Sequence, residues 1–113
     1  MQRKPNLPQL HAEFRRLRRQ LAATGWISHG YVQDRGPGTG GPCYQWTRKE
    51  RQKTVSVALS KEQYLGMKDA IENWRTLQHT LRRLEQISRT ILFHTIPGPP
   101  RRKPLTKRAL GVN

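Results

Sequence analysis

The stretch from Ser60 to Pro97 constrains the fold most. Ser60 and Gln63 have the spacing of a capping box, in which each side chain bonds the backbone N–H of the other, so a helix is expected to begin there. Apolar residues then follow in a heptad rhythm, and no proline interrupts the chain before Pro97. The pattern predicts one long helix over about residues 61–95, of which even 30 residues would span roughly 45 Å.

A second amphipathic helix is predicted from about Pro8 to Thr24. Its apolar residues recur at spacings of four, three and four, and Gly25 is a natural stop. This stripe consists of Leu10, Phe14, Leu17 and Leu21. The remaining faces carry arginine, and the residues before the helix are expected to form a flexible arm over 1–8.

Three extended segments are predicted between the two helices. Residues 26–35 are aromatic and β-branched, and residues 43–48 and 53–59 alternate in polarity. The last two predict a β-hairpin over about 43–59, with a charged turn at 49–52. Residues 36–41 are Gly- and Pro-rich and predict a loop. Tyr44 and Trp46 share one face with Val55, Val57 and Leu59, which favours core packing for these two aromatics over stacking on bases.

Together these elements predict an α+β fold. The order is a basic helix, a small antiparallel sheet of two or three strands, a long helix and a basic tail. We expect one domain over 9–96 and a disordered, Pro-rich tail over 97–113.

The long helix is far longer than the sheet, so its second half needs another surface to cover its apolar stripe. The first helix is one candidate, and a second copy of the chain or a different protein is another. The residues predicted to form a protein interface are Trp74, Leu77, Leu81, Leu84 and Ile91.

The formal net charge of +15 over 113 residues favours a polyanionic partner, because a compact domain with that much like charge repels itself. The two ends of the chain are its most basic parts, and residues 61–96 are nearly balanced. Solubility alone is the alternative explanation of the charge.

The candidate nucleic-acid-binding residues fall into three sets. The first helix offers Arg15, Arg16, Arg18 and Arg19. The hairpin offers Arg48, Lys49, Arg51 and Lys53, although charges there also serve to blunt an edge strand. The tail offers Arg101, Arg102, Lys103, Lys107 and Arg108, unless it is only a spacer.

The sequence indicates neither catalysis nor a cofactor. Cys43 is the single cysteine, which excludes an internal disulfide and a four-cysteine zinc site, and the four histidines show no ligand spacing. The Gly-rich run at 36–41 lacks the Gly-Lys-Ser/Thr ending of a phosphate loop. We therefore expect no catalytic residue, no metal and no cofactor. Without an apolar leader or an apolar run of membrane length, the cytoplasm is the expected location and no membrane partner is expected.

The chain contains, in order, a Gly-Pro-x-Tyr strand at 41–44, a Lys-Thr strand from Lys53 and an Asn-Trp-Arg segment at 73–75. Through these motifs residues 30–91 resemble a family of small bacterial proteins of unknown function that are encountered alongside transposase genes. Many relatives have a Cys-Gly-x-x-x-Cys-x-Cys stretch before the first strand, where this chain has residues 33–40 without cysteine. The resemblance implies a mobile-element setting and no known reaction. The order of hairpin and helix is also similar in outline to the arm-binding modules of phage-type integrases, which bind DNA with a small sheet.

These observations predict a non-catalytic nucleic-acid-binding accessory protein of a transposon or other mobile-element system, with DNA favoured over RNA. A transposase or larger effector is a possible protein partner. Two alternatives stay open: a protein-interaction subunit that forms a homodimer or docks through its long helix, and an RNA-binding component of a ribonucleoprotein.

Overall fold

A computed structural model describes residues 4–38, 41–100 and 103–112. The elements in chain order are α1 (Leu7–Ala22), β1 (Tyr31–Gly38), β2 (Gly41–Glu50), β3 (Lys53–Leu59), α2 (Lys61–Thr95) and α3 (Lys107–Leu110). The predicted α+β class is confirmed: an N-terminal helix, a three-stranded antiparallel sheet and a long helix. None of the helices in the described ranges contains a segment long and apolar enough to cross a membrane.

The chain forms two compact units, which we call the helical unit (residues 1–23 and 78–113) and the sheet unit (residues 24–77). Helix α2 is 35 residues long and contributes to both. The predicted capping box starts it: the Gln63 side chain accepts from the Ser60 N–H at 3.0 Å, and the Ser60 hydroxyl accepts from the Gln63 N–H at 3.1 Å. Helix α1 begins similarly, with the Asn6 side chain accepting from the Gln9 N–H.

In the helical unit, α1 packs against the second half of α2, which was one of the two arrangements left open by the sequence. Leu17, Leu84 and Ile87 are buried together, and Ile87 has no exposed surface. Leu10, Phe14, Leu21 and Ile91 pack around them. The two helices are also joined by an ion pair, in which the Arg83 Nε donates to the Glu13 Oε1 at 2.7 Å.

The tail contains a short helix, whereas sequence predicted disorder over 97–113. Thr106 caps α3 by accepting from the Ala109 N–H, and Gly111 ends it in a left-handed conformation with φ of 67°. The Val112 N–H donates to the Lys107 carbonyl, completing a Schellman motif. The Arg89 guanidinium donates to the Gly111 carbonyl at 3.2 Å and so attaches this turn to α2. Local caps and one long-range contact therefore order a segment whose composition favours disorder.

In the sheet unit, the strands follow one another in the order β1-β2-β3. Tyr31 lies opposite Thr47, which lies opposite Ser56; Trp46 lies opposite Val57. Helix α2 lies against the face that carries Tyr44 and Trp46. The contact is seen at Tyr44 and Tyr64, whose ring centroids are 4.9 Å apart. Below we call this covered side the inner face and the opposite side the outer face.

Two details of the predicted strands are wrong. Residues 26–30 are not a strand. Within the Gly- and Pro-rich run at 36–41, predicted to be a loop, the described residues instead belong to the strands, since β1 extends to Gly38 and β2 begins at Gly41. A β-bulge between Asp34 and Pro37 makes this possible, since Gly36 adopts a φ of 73° and its N–H donates to the Asp34 side chain at 2.9 Å. β1 is an edge strand, where proline is tolerated.

Candidate nucleic-acid interface

The outer face of the sheet is polar and exposed. Alternation along the strands places there the rows Tyr31–Thr47–Ser56 and Gln33–Gln45–Ala58, together with the pair Lys49–Thr54. All of these side chains are exposed or half-buried except Thr47, which is 6% exposed and shares a 3.0 Å hydrogen bond with the Ser56 hydroxyl. The face therefore presents amide, hydroxyl and ammonium groups, which are the groups that bind base edges and phosphates in DNA grooves.

Arg35 adds a guanidinium to the outer face that sequence analysis did not predict. Its Nη1 donates to the Gln45 side-chain oxygen at 3.3 Å, across β1 and β2. Sequence analysis did not assign Arg35 to a face of the sheet, because the run at 36–41 that follows it was predicted to be a loop and not a continuation of the strand past a bulge. The alternation Tyr31, Gln33, Arg35 was visible in the sequence and would have indicated it.

The turn between β2 and β3 consists of Arg51 and Gln52, which have φ angles of 47° and 69°. Glu50 and Lys53 pair across its base. Two positive φ angles are typical of the two-residue turns that match the twist of a hairpin, and Asn-Gly is the favoured sequence there. Arginine and glutamine adopt this conformation at a cost of roughly 1–2 kcal/mol each. The sequence thus keeps two long polar side chains at an unfavourable position on the hairpin tip.

The four predicted hairpin cations are not equivalent. Lys49, Arg51 and Lys53 are exposed, and Lys49 alone lies on the outer face. Arg48 lies on the inner face, where its guanidinium stacks 4.4 Å from the Trp46 ring centroid and pairs with Glu50 at 3.2 Å. We therefore remove Arg48 from the candidate interface, because its charge already has partners within the protein.

The aromatic residues divide in the same way. Tyr44 contacts Tyr64, and the Trp46 Nε1 donates to the His29 carbonyl at 2.8 Å, so both serve the inner face as expected. Tyr31 lies on the outer face and is 51% exposed. Trp26, in the loop that precedes β1, is 90% exposed and was not predicted as a functional residue.

The first-helix arginines are all exposed, on the faces of α1 that do not pack on α2. Arg15, Arg18 and Arg19 line one shallow concavity of about 360 Å³. The Arg18 guanidinium also lies 5.8 Å from the Phe14 ring centroid, and Arg18 is exposed. Three closely placed guanidinium groups form a site suited to phosphate.

In the tail, Lys103, Lys107 and Arg108 are exposed, and the last two belong to α3. Arg101 and Arg102 lie outside the described residues. Among α2 cations, Arg83 and Arg89 have carboxylate partners in Glu13 and Glu85. Part of the positive charge of the long helix is therefore paired within the protein, in agreement with its nearly balanced composition.

The predicted protein-interface residues are mostly used within the chain. Leu84 is buried and Ile91 packs beside it against α1. Trp74 and Leu77 are half-buried, and Leu81 is 41% exposed. A dimer through Leu84 and Ile91 would require α1 to leave, so this part of the predicted interface is not available in the structure.

Among the described residues, no three His, Cys, Asp or Glu side chains are close enough together to hold a metal ion. Cys43 is half-buried in β2. Comparison with protein-family models, with curated proteins and with solved structures gave no match for this chain.

Proposed function

We propose that this chain is a non-catalytic DNA-binding accessory protein of the cytoplasm that docks the outer face of its sheet in the major groove. The observation that carries the proposal is the exposed outer face itself: cross-strand rows of amides and hydroxyls with Lys49 and Arg35 among them. The major groove of B-DNA is about 12 Å wide and admits a two-stranded β-ribbon, which the β2–β3 hairpin of this sheet provides. The net charge of +15 supplies the long-range attraction.

The hairpin tip supports the same arrangement. Arg51 and Lys53 lie at or beside the turn, at the end of the sheet where Lys49 faces outward. Side chains at such a tip reach phosphates on the groove edge while the rows behind them face the bases. Phosphate contacts by Arg15, Arg16, Arg18 and Arg19, and by the tail cations, would add affinity without adding sequence preference.

DNA is favoured over RNA because the major groove of A-form RNA is deep and too narrow for side chains to enter. A sheet face that needs a wide groove therefore has no equivalent docking surface on duplex RNA. Competition of labelled duplex DNA with unlabelled duplex DNA or RNA tests this preference directly.

The mobile-element setting rests on the motif resemblance at residues 30–91 alone. On that basis we place the protein as an accessory of a transposition system, with a transposase or larger effector as its protein partner. Purification of the tagged chain from its host, with and without nuclease, would identify what accompanies it and whether nucleic acid bridges the two.

A salt titration of DNA binding tests the main proposal. If about six phosphates are neutralised, affinity should fall roughly a thousandfold between 50 and 200 mM salt. The double variant Lys49→Gln/Arg51→Gln removes two exposed cations and should lower the slope of log affinity against log salt by about two. Lys61→Gln/Lys68→Gln removes the same charge from exposed positions on α2 and is the matched control.

Equal effects of the two double variants would mean that charge alone, and not the outer face, binds DNA. A wild-type affinity that does not change with salt would reject the proposal as a whole.

A second candidate function, protein docking, is favoured by exposed apolar side chains at the end of α2. Leu92 is 50% exposed on the same side of α2 as Leu81, and Ile96, directly after the helix, is 58% exposed with its N–H bonded to the Leu92 carbonyl. Leu92→Gln/Ile96→Gln should then abolish self-association in sedimentation experiments while leaving DNA binding intact. The buried Leu84 cannot serve in this test, because its substitution would disrupt the α1–α2 core.

A further inference from the structure

Trp26 is the most exposed large apolar residue of the described chain, with 90% of its surface open to solvent. Tryptophan is highly buried on average, so an indole presented to water requires an explanation. Its neighbour Ile27 is 46% exposed, and the flanking residues Gly25, Ser28 and His29 are small or polar. The exposed apolar surface of this loop is thus the indole and one partly exposed aliphatic neighbour.

The backbone that carries Trp26 is fixed on both sides. The Asn73 side-chain amide donates to the Trp26 carbonyl at 2.9 Å, and the Ser28 N–H donates to the Ala70 carbonyl at 3.2 Å. Gly25 lies against Asn73 so closely that a Cβ on it would be 3.2 Å from the amide nitrogen. Because the loop is tied to α2 at these points, binding through Trp26 would order little additional backbone.

The same loop leads directly into β1, the edge strand of the sheet. Trp46 donates to the His29 carbonyl, Gly30 turns the chain with φ of 97°, and Tyr31 then starts the row Tyr31–Thr47–Ser56. The exposed aromatics Trp26 and Tyr31 therefore belong to the sheet unit that carries the proposed DNA surface, whereas the exposed Phe93 belongs to the helical unit. Hot spots of protein interfaces lie in well-packed, desolvated pockets, whereas a ring this open to solvent, with Ile27 as its one exposed apolar neighbour in the loop, suits stacking on a base.

We propose that Trp26 stacks on an unpaired nucleobase, and that the ligand is DNA in which a duplex adjoins a few unpaired nucleotides. The proposal rests on the proposed function, since it assumes that the duplex lies on the outer face. Stacking tolerates any base because every base has an aromatic face. Asn73 is a positioning residue in this arrangement, because it touches the Trp26 backbone and not the DNA.

The test compares two labelled DNAs with equal numbers of phosphates: a blunt duplex, and a shorter duplex with an unpaired extension. Stacking of one base raises affinity by roughly five- to 150-fold, so a preference of about tenfold for the extended DNA is expected. Trp26→Leu keeps an apolar side chain but cannot stack, and should abolish the preference while leaving the affinity for blunt duplex unchanged. Trp26→Phe should retain most of the preference.

Asn73→Ala supplies the control on positioning. It releases the Trp26 carbonyl, so the preference should decrease while the indole remains present. Circular dichroism of all three variants checks folding, and an exposed position such as Trp26 should tolerate substitution.

Equal affinity of the wild type for the two DNAs overturns this inference and leaves the proposed function in place, provided that blunt duplex is bound with a salt slope. A preference that survives in Trp26→Leu also overturns it, and assigns the indole to a protein contact instead. Failure to bind either DNA removes both proposals.

Discussion

In the helical unit the contacts between elements are mainly apolar, whereas in the sheet unit many of them are hydrogen bonds. Leu17, Leu84 and Ile87 bury one another between α1 and α2. Among the side chains of the sheet unit whose burial the structure describes, the buried apolar ones are Ala70 and Ile71. Its loop and strands are instead joined by directed bonds from Asn73 to Trp26, from Trp46 to His29 and between Thr47 and Ser56.

The difference has a functional consequence. Apolar burial is non-directional and tolerates small shifts, whereas a hydrogen bond fixes the position of both partners. The unit fixed by hydrogen bonds is the one that carries the outer face and Trp26, where a ligand requires side chains at defined positions. The helical unit can contribute charge from α1 without such precision.

The largest loss of stability is expected from Ile87→Ala, which removes apolar contacts in the helical unit. Ile87 is fully buried, and removal of a buried isoleucine side chain to Ala costs about 2–5 kcal/mol. Urea denaturation followed by circular dichroism would measure the loss. All three tryptophans lie in the sheet unit, so their fluorescence reports the other unit separately.

If the two units unfold as one through α2, both signals should shift to lower urea together. A shift in circular dichroism alone would show that the sheet unit is stable by itself, and that its hydrogen bonds do not depend on the apolar contacts of the helical unit. No shift in either signal would contradict the assigned core.

A smaller loss of stability is expected from Gly30→Ala, which introduces a steric clash in the sheet unit. Gly30 has a φ of 97°, and a Cβ there would lie 2.4 Å from the Thr47 carbonyl oxygen. The backbone must shift, so we expect a destabilisation of about 1–3 kcal/mol, measured by tryptophan fluorescence in urea.

Gly66→Ala is the matched control, because Gly66 lies in α2 with open space around its Cβ position. Alanine in a helix is favoured over glycine by about 1 kcal/mol, so this substitution should stabilise the protein. If Gly30→Ala were equally well tolerated, the close approach of Gly30 to the Thr47 carbonyl would be contradicted.

The helical unit could be predicted well and the sheet unit only in outline. Spacings of three and four residues encode the α1 and α2 stripes, and packing of α1 on the second half of α2 was one of two alternatives. The bulge at Gly36 depends on a left-handed backbone and an Asp34 side-chain bond, neither of which has a periodic signal. The inner-face position of Arg48 did have a periodic signal, since Arg48 lies two residues after Trp46 and alternation along a strand places both on the same face.

The exposure of Trp26 had no sequence signal, because an aromatic residue beside Ile27 is equally typical of a buried strand. Its position follows from the Asn73 bond between residues 47 positions apart in the chain. Long-range polar contacts of this kind depend on the completed fold, and a pattern of neighbouring residues does not encode them.

The smallest change in stability is expected at the hairpin tip, where the comparison can be tested within the sheet unit itself. Replacing Arg51 and Gln52 by Asn and Gly gives the favoured sequence for a turn with two positive φ angles. We expect an increase in the free energy of unfolding of about 1 kcal/mol, because most of the left-handed strain is relieved while the new glycine adds conformational entropy to the unfolded chain. The same variant loses one exposed cation, so the salt slope of DNA binding should fall by about one.

Gln52→Gly alone is the control, since it relieves strain at one position and keeps Arg51. It should stabilise the protein while leaving the salt slope unchanged. If the double variant were more stable and bound DNA with the wild-type slope, Arg51 would have no phosphate contact. The strained turn would then have to be explained without DNA, and the outer face would be the only part of the hairpin left in the interface.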